Sequence, residues 1–372
     1  MIALAAAMCV FYLVYRLLFT LNLTTAYAGC ISVGLWLGEA YGVFVLLLFF
    51  LQVWDSREPP QQPVLEGRTV DIFVPTYNED PQLLRATLEA CSRIDYPHRT
   101  YLCDDGGTEA RLNDPEKGPP SRKRAEALKA ICAELGITYV TRPKNEHAKA
   151  GNLNYAFERT DGEFIIILDA DHVPEPHFIT RLIGYFRDER LGFVQTPHAF
   201  YNFDNFQARL DHKNRKYWEE GHLFYYVIQP GRNYWGCPIF AGSAAMFRRT
   251  AIRDVGLIAT DTITEDMHTG LRMNAKAWRS LAITERLVAG QAAPDITTFH
   301  SQRLRWGTGN LSIMRYDNPL TVRGLTLAQR LCYLGSMLHW ASGPFKLIIY
   351  LTPIAMLFSG IPPVNEFTWE LL

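Results

Sequence analysis

Two carboxylates, Asp169 and Asp171, close the oily run Phe164-Ile-Ile-Ile-Leu168. An Asp-x-Asp pair at the end of a strand presents hard oxygen ligands at the edge where open α/β sheets bind their ligands. Such ligands suit Mg²⁺ or Mn²⁺ bridging a diphosphate. Alone, the pair is equally a polar turn after a buried strand. Its company decides for chemistry: Asp104-Asp105-Gly-Gly lies upstream, Thr264-Glu265-Asp266 downstream, and Gln302-Arg-Leu-Arg305-Trp306 last.

The elements that must position these residues read as alternating strands and helices from about residue 70, as in βαβ units. Val70–Val74 is a strand stopped by Pro75, and Pro81–Ile94 a helix with Pro in its first turn. Thr100–Cys103 is a second strand, and Ser121–Leu135 a helix stopped by Gly136. Ile137–Thr141 is a third strand, Lys149–Arg159 a helix, and Phe164–Leu168 a strand whose unbroken apolar run suits a sheet centre. A fifth strand starts at Phe193, and 108–121 reads as the loosest loop. The strand ends carry Thr76-Tyr77-Asn78-Glu79, Asp104-Asp105, Arg142-Pro-Lys144 and Asp169-x-Asp171. Convergence at one edge is what a nucleotide site needs. Asp104 is placed to accept from a uridine-type base or ribose, Tyr77 to stack on a base, and Lys149 to neutralise a phosphate. No GxGxxG follows the first strand and no Walker A loop is present, which argues against dinucleotide and ATP sites.

Both ends of the chain are oily. Residues 1–22 are apolar except for Arg16, and 30–53 except for Glu39. Each is long enough to cross a bilayer as a helix, and together they suggest a hairpin. Arg16 and Glu39 either pair within the bilayer or line a passage, or Arg16 snorkels to an interface. Arg57 and Arg68 follow the second span, so the positive-inside rule puts the middle of the chain in the cytoplasm. Between Leu331 and Asn365 only Lys346 is formally charged. Gly343-Pro344 should break that stretch, giving an interfacial segment over Arg330–Ser342 and a membrane helix over Phe345–Phe358. An odd number of spans suggests that the sequence is a piece of a longer protein. A net charge of −1 gives no broad basic surface for nucleic acid. Seven cysteines without CxxC spacing exclude a zinc or disulfide framework and fit a reducing compartment.

The motifs resemble those of the processive family-2 glycosyltransferases, and within them the bacterial cellulose synthase catalytic subunit. The resemblance rests on Pro75-Thr-Tyr-Asn-Glu-Asp80, Asp104-Asp-Gly106, His147-Ala-Lys-Ala-Gly-Asn-Leu-Asn154 and Asp169-Ala-Asp-His-Val-Pro174. It continues through Gln229-Pro-Gly-Arg232, Gly242-Ser243, Thr262-Ile-Thr-Glu-Asp266 and Gln302-x-x-Arg-Trp306, and so covers nearly the whole chain. It implies an α/β GT-A domain with a Rossmann-like mixed sheet over 66–325. That domain sits between a transmembrane hairpin (1–54) and a membrane segment (326–372) in a bacterial inner membrane. It implies UDP-glucose as donor, a growing β-glucan as acceptor, Mg²⁺ or Mn²⁺ as cofactor, inversion at the transferred sugar, and a periplasmic export partner.

By residue, the resemblance puts Thr76, Tyr77, Glu79, Asp104, Lys149 and Asp169 around UDP, and Asp169 with Asp171 on the diphosphate and its metal. It makes Asp266 the general base, although spacing alone does not separate Asp266 from Glu265. It puts Gln302, Arg305, Trp306 and Phe240 at the donor–acceptor platform. The chemistry agrees: a hydroxyl attacking opposite a departing diphosphate needs a carboxylate in reach. Arg305 suits bidentate phosphate contact, and Trp306 offers a flat face for a sugar ring. The aromatic stretch Phe200–Tyr226 reads as an amphipathic helix at the membrane face or as an insertion packed on the domain. Ala241, Ala289-Gly-Gln-Ala-Ala-Pro294 and Gly307-Thr-Gly309 depart from the family's usual residues near the acceptor. They leave β-1,4-glucan, another β-glucan (β-1,3 or mixed linkage) and a sugar on a lipid acceptor as alternatives.

Overall fold

The computed structural model describes residues 1–202 and 220–365, in two compact units. One comprises Asp55–Gln329 and the other Met1–Trp54 with the segment from Arg330 onward. Of the aromatic stretch expected as an amphipathic helix, 203–219 lie outside the described residues; Glu220–Leu223 is helical and Phe224–Ile228 forms a π-helical turn.

The larger unit is built on a seven-stranded sheet. Its strands are β1 (Val70–Thr76), β2 (Arg99–Asp104), β3 (Thr138–Val140), β4 (Phe164–Ile167), β6 (Leu191–Gln195), β8 (Ala245–Arg248) and β9 (Arg279–Ala282), in spatial order β3-β2-β1-β4-β8-β6-β9. The short strands β5 (Val173–Pro174), β7 (Ala199–Phe200) and β10 (Val288–Gly290) make a second sheet. β3, β2, β1 and β4 run parallel, so their carboxyl ends meet at one edge. β8 is antiparallel to both β4 and β6. Nothing local in the sequence announces β8, because its partners lie far away in the chain.

Alternation along the strands supplies both apolar faces, as a two-residue period requires. Val70, Ile72, Val74, Phe164, Ile166, Leu168, Val194 and Met246 belong to one buried cluster, and Phe73, Ile165, Ile167, Phe193, Ala245 and Phe247 to the other. β4 sits at the sheet centre, as its oily run implies. The helix expected from Ser121 begins at Gly118, with prolines in its first turn. Proline is tolerated there because the first N–H groups of a helix have no partner to lose. The supposed loop 108–121 also contains a short helix, Glu109–Leu112.

In the smaller unit, Ile2–Phe19 and Ala26–Gln52 are long and apolar enough to cross a membrane. Leu327–Trp340 and Gly343–Ser359 meet at a 52° bend, at the Gly343-Pro344 break. The Tyr41 ring stacks on Phe345 with centroids 3.8 Å apart. Arg16 does not snorkel: its Nε donates to Glu39 Oε2 at 3.1 Å, and Tyr12 OH donates to Glu39 Oε1 at 3.0 Å.

Both units hold buried charge. Asp71 has no exposed surface and accepts from Arg249 Nη2 at 2.8 Å, Gly162 N at 2.7 Å and Arg99 Nε at 3.0 Å. Removing one member of a buried pair costs about 3–5 kcal/mol, so Asp71→Ala should lower the melting temperature of the detergent-solubilised protein by roughly 10 °C. In the membrane unit, Arg16→Glu and Glu39→Arg should each cut the yield of folded protein, and the double exchange should restore most of it; loss undiminished in the double variant would deny the pairing.

Candidate active site

β1 ends in Thr76, and the chain then turns through Tyr77 and Asn78. Glu79 braces that turn: its Oε2 accepts from Thr76 Oγ1 at 2.7 Å, Tyr77 N at 2.7 Å and Asn78 N at 3.1 Å. Burial would raise its pKa, but these bonds hold it below the ordinary value. Tyr77 is exposed, with the Arg111 guanidinium 4.6 Å from its ring centroid. Tyr77, Arg111, Lys117 and Lys144 line a cleft of about 400 Å³.

Asp104, at the end of β2, is not an open acceptor. Fully buried, it takes hydrogen bonds from Gly106 N at 2.9 Å, Arg124 Nη1 at 2.8 Å and Tyr139 OH at 2.7 Å. Arg124 also donates to Thr76 Oγ1 at 2.7 Å, so Asp104 anchors the cleft wall from behind. Phe240 likewise presents no surface to an acceptor. It is 1% exposed and packs edge-on against Phe247, because its side chain points into the core beneath the sheet.

The chemical groups meet around Lys149. Two consecutive non-glycine residues with positive φ, His147 at 58° and Ala148 at 43°, lead into its helix, Ala148–Phe157. Such backbone costs of order 1–3 kcal/mol per residue and persists where surroundings enforce it. Arg142 enforces it, donating to Glu146 O at 2.6 Å and Ala148 O at 2.9 Å while gripping Asp105 through two bonds of 2.6 and 2.7 Å. Lys149 Nζ then reaches Asp169 Oδ1 at 2.5 Å and Gly242 O at 2.8 Å. Burial would raise the Asp169 pKa, but the Lys149 ammonium holds it below the ordinary range.

Gly242 has φ of +87°, and a Cβ there would sit 3.1 Å from Asp266 Oδ2. Glycine is therefore required by conformation and by the closeness of the carboxylate. Asp266 lies at the start of helix Glu265–Ala275 and accepts from Met267 N at 2.7 Å. Burial, and then the charge of Glu265, push its pKa up to about 7. The carboxylate that the Gly242 turn approaches is Asp266. Asp171, raised by burial, accepts from Gln291 N at 2.8 Å.

Several residues that anchor the site carried no role in the sequence reading. Ser243 Oγ accepts from Asp169 N at 2.7 Å and lies 2.6 Å from His172 Nδ1. Gln195 donates to Ser243 O at 2.8 Å and accepts from Ala241 N at 2.9 Å. His198 Nε2 lies 3.1 Å from Ser243 O, and burial drops its pKa to about 3, so it is neutral. His172 and Ser243 stood inside recognisable motifs, which was their only signal. Gln229, bonded to Ile239 through both ends of its amide at 2.6 and 2.8 Å, holds the approach to this turn.

Gln302, Arg305 and Trp306 lie on helix Ile296–Tyr316, with Arg305 and Trp306 exposed and Gln302 half-buried. Arg303 lies 4.4 Å from the Trp306 ring centroid, a contact the motif did not foretell. One turn on, a Cβ at Gly309 would come within 2.4 Å of Thr264 Cγ2, so glycine lets this helix sit directly on the loop before Asp266.

Asp169 and Asp171 fit a hard divalent cation: each spends one oxygen on the protein and keeps lone pairs to spare. Among the described residues no group of three or more His, Cys, Asp or Glu forms a complete cation site. A substrate diphosphate would have to supply further ligands.

Comparison with known proteins places the fold. The profile of glycosyl transferase family 2 matches residues 71–256, and that of glycosyl transferase family group 2 matches 164–369. The chain belongs to the family-2 glycosyltransferases. It is 40% identical over 358 residues to cellulose synthase 1 of Komagataeibacter xylinus, covering 94% of this chain and 22% of that protein. It is 38% identical over 345 residues to the UDP-forming cellulose synthase catalytic subunit of Xanthomonas axonopodis pv. citri, covering 91% and 45%. The chain thus spans less than half the length of these relatives. A solved mannosyltransferase from Pyrobaculum calidifontis, in complex with GDP-Man and Mn²⁺, matches with a TM-score of 0.63 at 19% identity over 92% of this chain and 88% of that one. The larger unit has the GT-A glycosyltransferase fold.

A base must be ionised to accept a proton, so if Asp266 is the base, turnover should rise with pH about a midpoint near 7. Glu265→Gln removes a charge that raises Asp266 and should move this limb to lower pH; Lys149→Met removes one that lowers it and should move the limb upward. A limb unmoved by either change would exclude Asp266 as the titrating group.

Proposed function

We propose that this chain is the donor-binding and catalytic part of a processive, inverting glycosyltransferase that moves glucose from UDP-glucose to a β-1,4-glucan. The observation that carries the proposal is the convergence of Lys149, Asp169 and Asp266 on the Gly242 carbonyl turn, with helix Ile296–Tyr316 seated on the loop before Asp266. The similarity to cellulose synthases supports the substrate class. The GDP-Man and Mn²⁺ of the Pyrobaculum calidifontis enzyme support a nucleotide-sugar donor and a divalent ion for this fold.

In this reading the uridine lies along the cleft of Tyr77 and Lys144, against the wall that Asp104 and Glu79 hold rigid. Asp169 and Asp171 would hold Mg²⁺ or Mn²⁺, which when bound would offset charge on the leaving diphosphate. Lys149 adds a fixed positive charge beside the same oxygens, where preorganised charge lowers the barrier most. Asp266 removes the proton of the attacking hydroxyl. Trp306 carries the terminal sugar ring, and Gln302 and Arg305 orient acceptor and phosphate. The apolar helices Ile2–Phe19 and Ala26–Gln52 anchor the protein in the bacterial inner membrane with the larger unit in the cytoplasm. The polymer leaves across the membrane to a periplasmic export partner.

The deciding experiment is radiolabelled UDP-glucose incorporation by the reconstituted full-length protein with Mg²⁺ or Mn²⁺. Product digestible by a β-1,4-glucanase is expected, with Asp266→Asn reducing the rate about 10²–10⁴-fold. Polymer cut only by a β-1,3-glucanase would reassign the linkage, and label found only in lipid would reassign the acceptor. No transfer from any UDP-hexose would overturn the proposal.

A further inference from the structure

Among the contacts that helix Ile296–Tyr316 makes with the base-bearing region two stand out, and only the Gly309–Thr264 contact belongs to a motif. The other is Asp317, the residue that ends the helix. An acidic side chain at a helix C-terminus has the wrong sign for the helix dipole, so its position calls for a partner elsewhere. It has two on the neighbouring helix Glu265–Ala275: His268 Nε2 donates to Asp317 Oδ2 at 2.7 Å, and Arg272 Nε donates to the same oxygen at 2.7 Å. His268 is wholly buried, one helical turn from Glu265. Arg272 also donates to Asp261 Oδ2 at 2.7 Å, on the loop that leads to Thr264.

We propose that His268, Asp317 and Arg272 form a latch that sets the distance between the base Asp266 and the sugar platform of Gln302 and Trp306. They are positioning residues, which touch neither donor nor acceptor. The inference rests on the roles proposed above for Asp266 and Trp306. Two-point docking is what the task needs. Gly309 alone permits close approach but leaves the platform helix free to rotate or slide about that contact. A charge-assisted anchor at the helix end removes this freedom. Misplacing reacting groups by about 1 Å can cost 10²-fold in rate without weakening donor binding.

The test compares Asp317→Asn and His268→Gln with wild type in the reconstituted full-length protein. Glucan synthesis is read with saturating UDP-glucose, and donor-site integrity by titration with UDP alone. A kcat at least tenfold lower with UDP affinity within twofold of wild type is expected for both. A kcat within twofold of wild type, or a UDP affinity that falls in parallel with kcat, would overturn the latch. If wild type itself transfers no sugar, the functional reading fails and the latch is judged by melting temperature: for His268→Ala, Asp317→Ala and the double variant, non-additive losses support the contact and additive losses overturn it.

Discussion

The site is organised by one ammonium group that must satisfy several carboxylates at once. Lys149 meets Asp169 and the Gly242 carbonyl directly, and its charge is felt at Glu265 and Asp266. Three acidic side chains this near one another would otherwise repel. The lysine keeps Asp169 ionised while Asp266, further from it and beside Glu265, is left poised about neutrality. Carboxylates that share one ammonium group thus differ in how readily they ionise, which is what the roles proposed for Asp169 and Asp266 require.

That arrangement explains the architecture around it. The parallel strands β1, β2 and β4 deliver the cleft wall, Asp104 and the Asp-x-Asp pair to the same edge. The antiparallel β8 wedges between β4 and β6, so the turn before it, Ala241–Ala244, arrives at that edge from the opposite direction. Gln195, His172 and His198 pin the turn from below. The strained entry to the Lys149 helix, fixed by the buried Arg142–Asp105 pair, then aims the lysine at it. Rigidity is concentrated where charge must not rearrange during reaction.

The parallel half of the sheet was legible in the sequence because its signals are local. Oily runs of strand length, a proline-led helix and acidic strand ends each declare themselves within a few residues. β8 and β9 were not: β8 is an antiparallel insertion whose partners lie far away in the chain, a strand as short as Ala245–Arg248 has no period to read, and β9 is paired in parallel with the equally distant β6. The candidate site divides the same way. Residue types named Asp169, Asp171, Lys149 and Asp266, and the structure gathers them. Type could not say that Asp104 spends its lone pairs on Arg124, Tyr139 and Gly106, or that Phe240 faces the core. Burial and direction are properties of the folded chain. The same holds for Arg303, whose contact with Trp306 one turn later depends on how both side chains are directed in the folded helix.

The acceptor side sets a limit on what similarity can decide. Donor chemistry depends on charges, and these are in place. In the proposed reaction, linkage depends on which hydroxyl of the terminal sugar lies within hydrogen-bond reach of Asp266, a matter of a rotation or slide of that ring on its platform. Small residues stand at both approaches: Gly309 sets how closely the platform helix approaches Thr264, and Gly242 how closely the turn approaches Asp266. A Cβ at Gly309 would come within 2.4 Å of Thr264 Cγ2, so it would displace the helix or the loop before Asp266. On the proposed roles, product identity would therefore belong to the packing between the platform helix and the loop before Asp266.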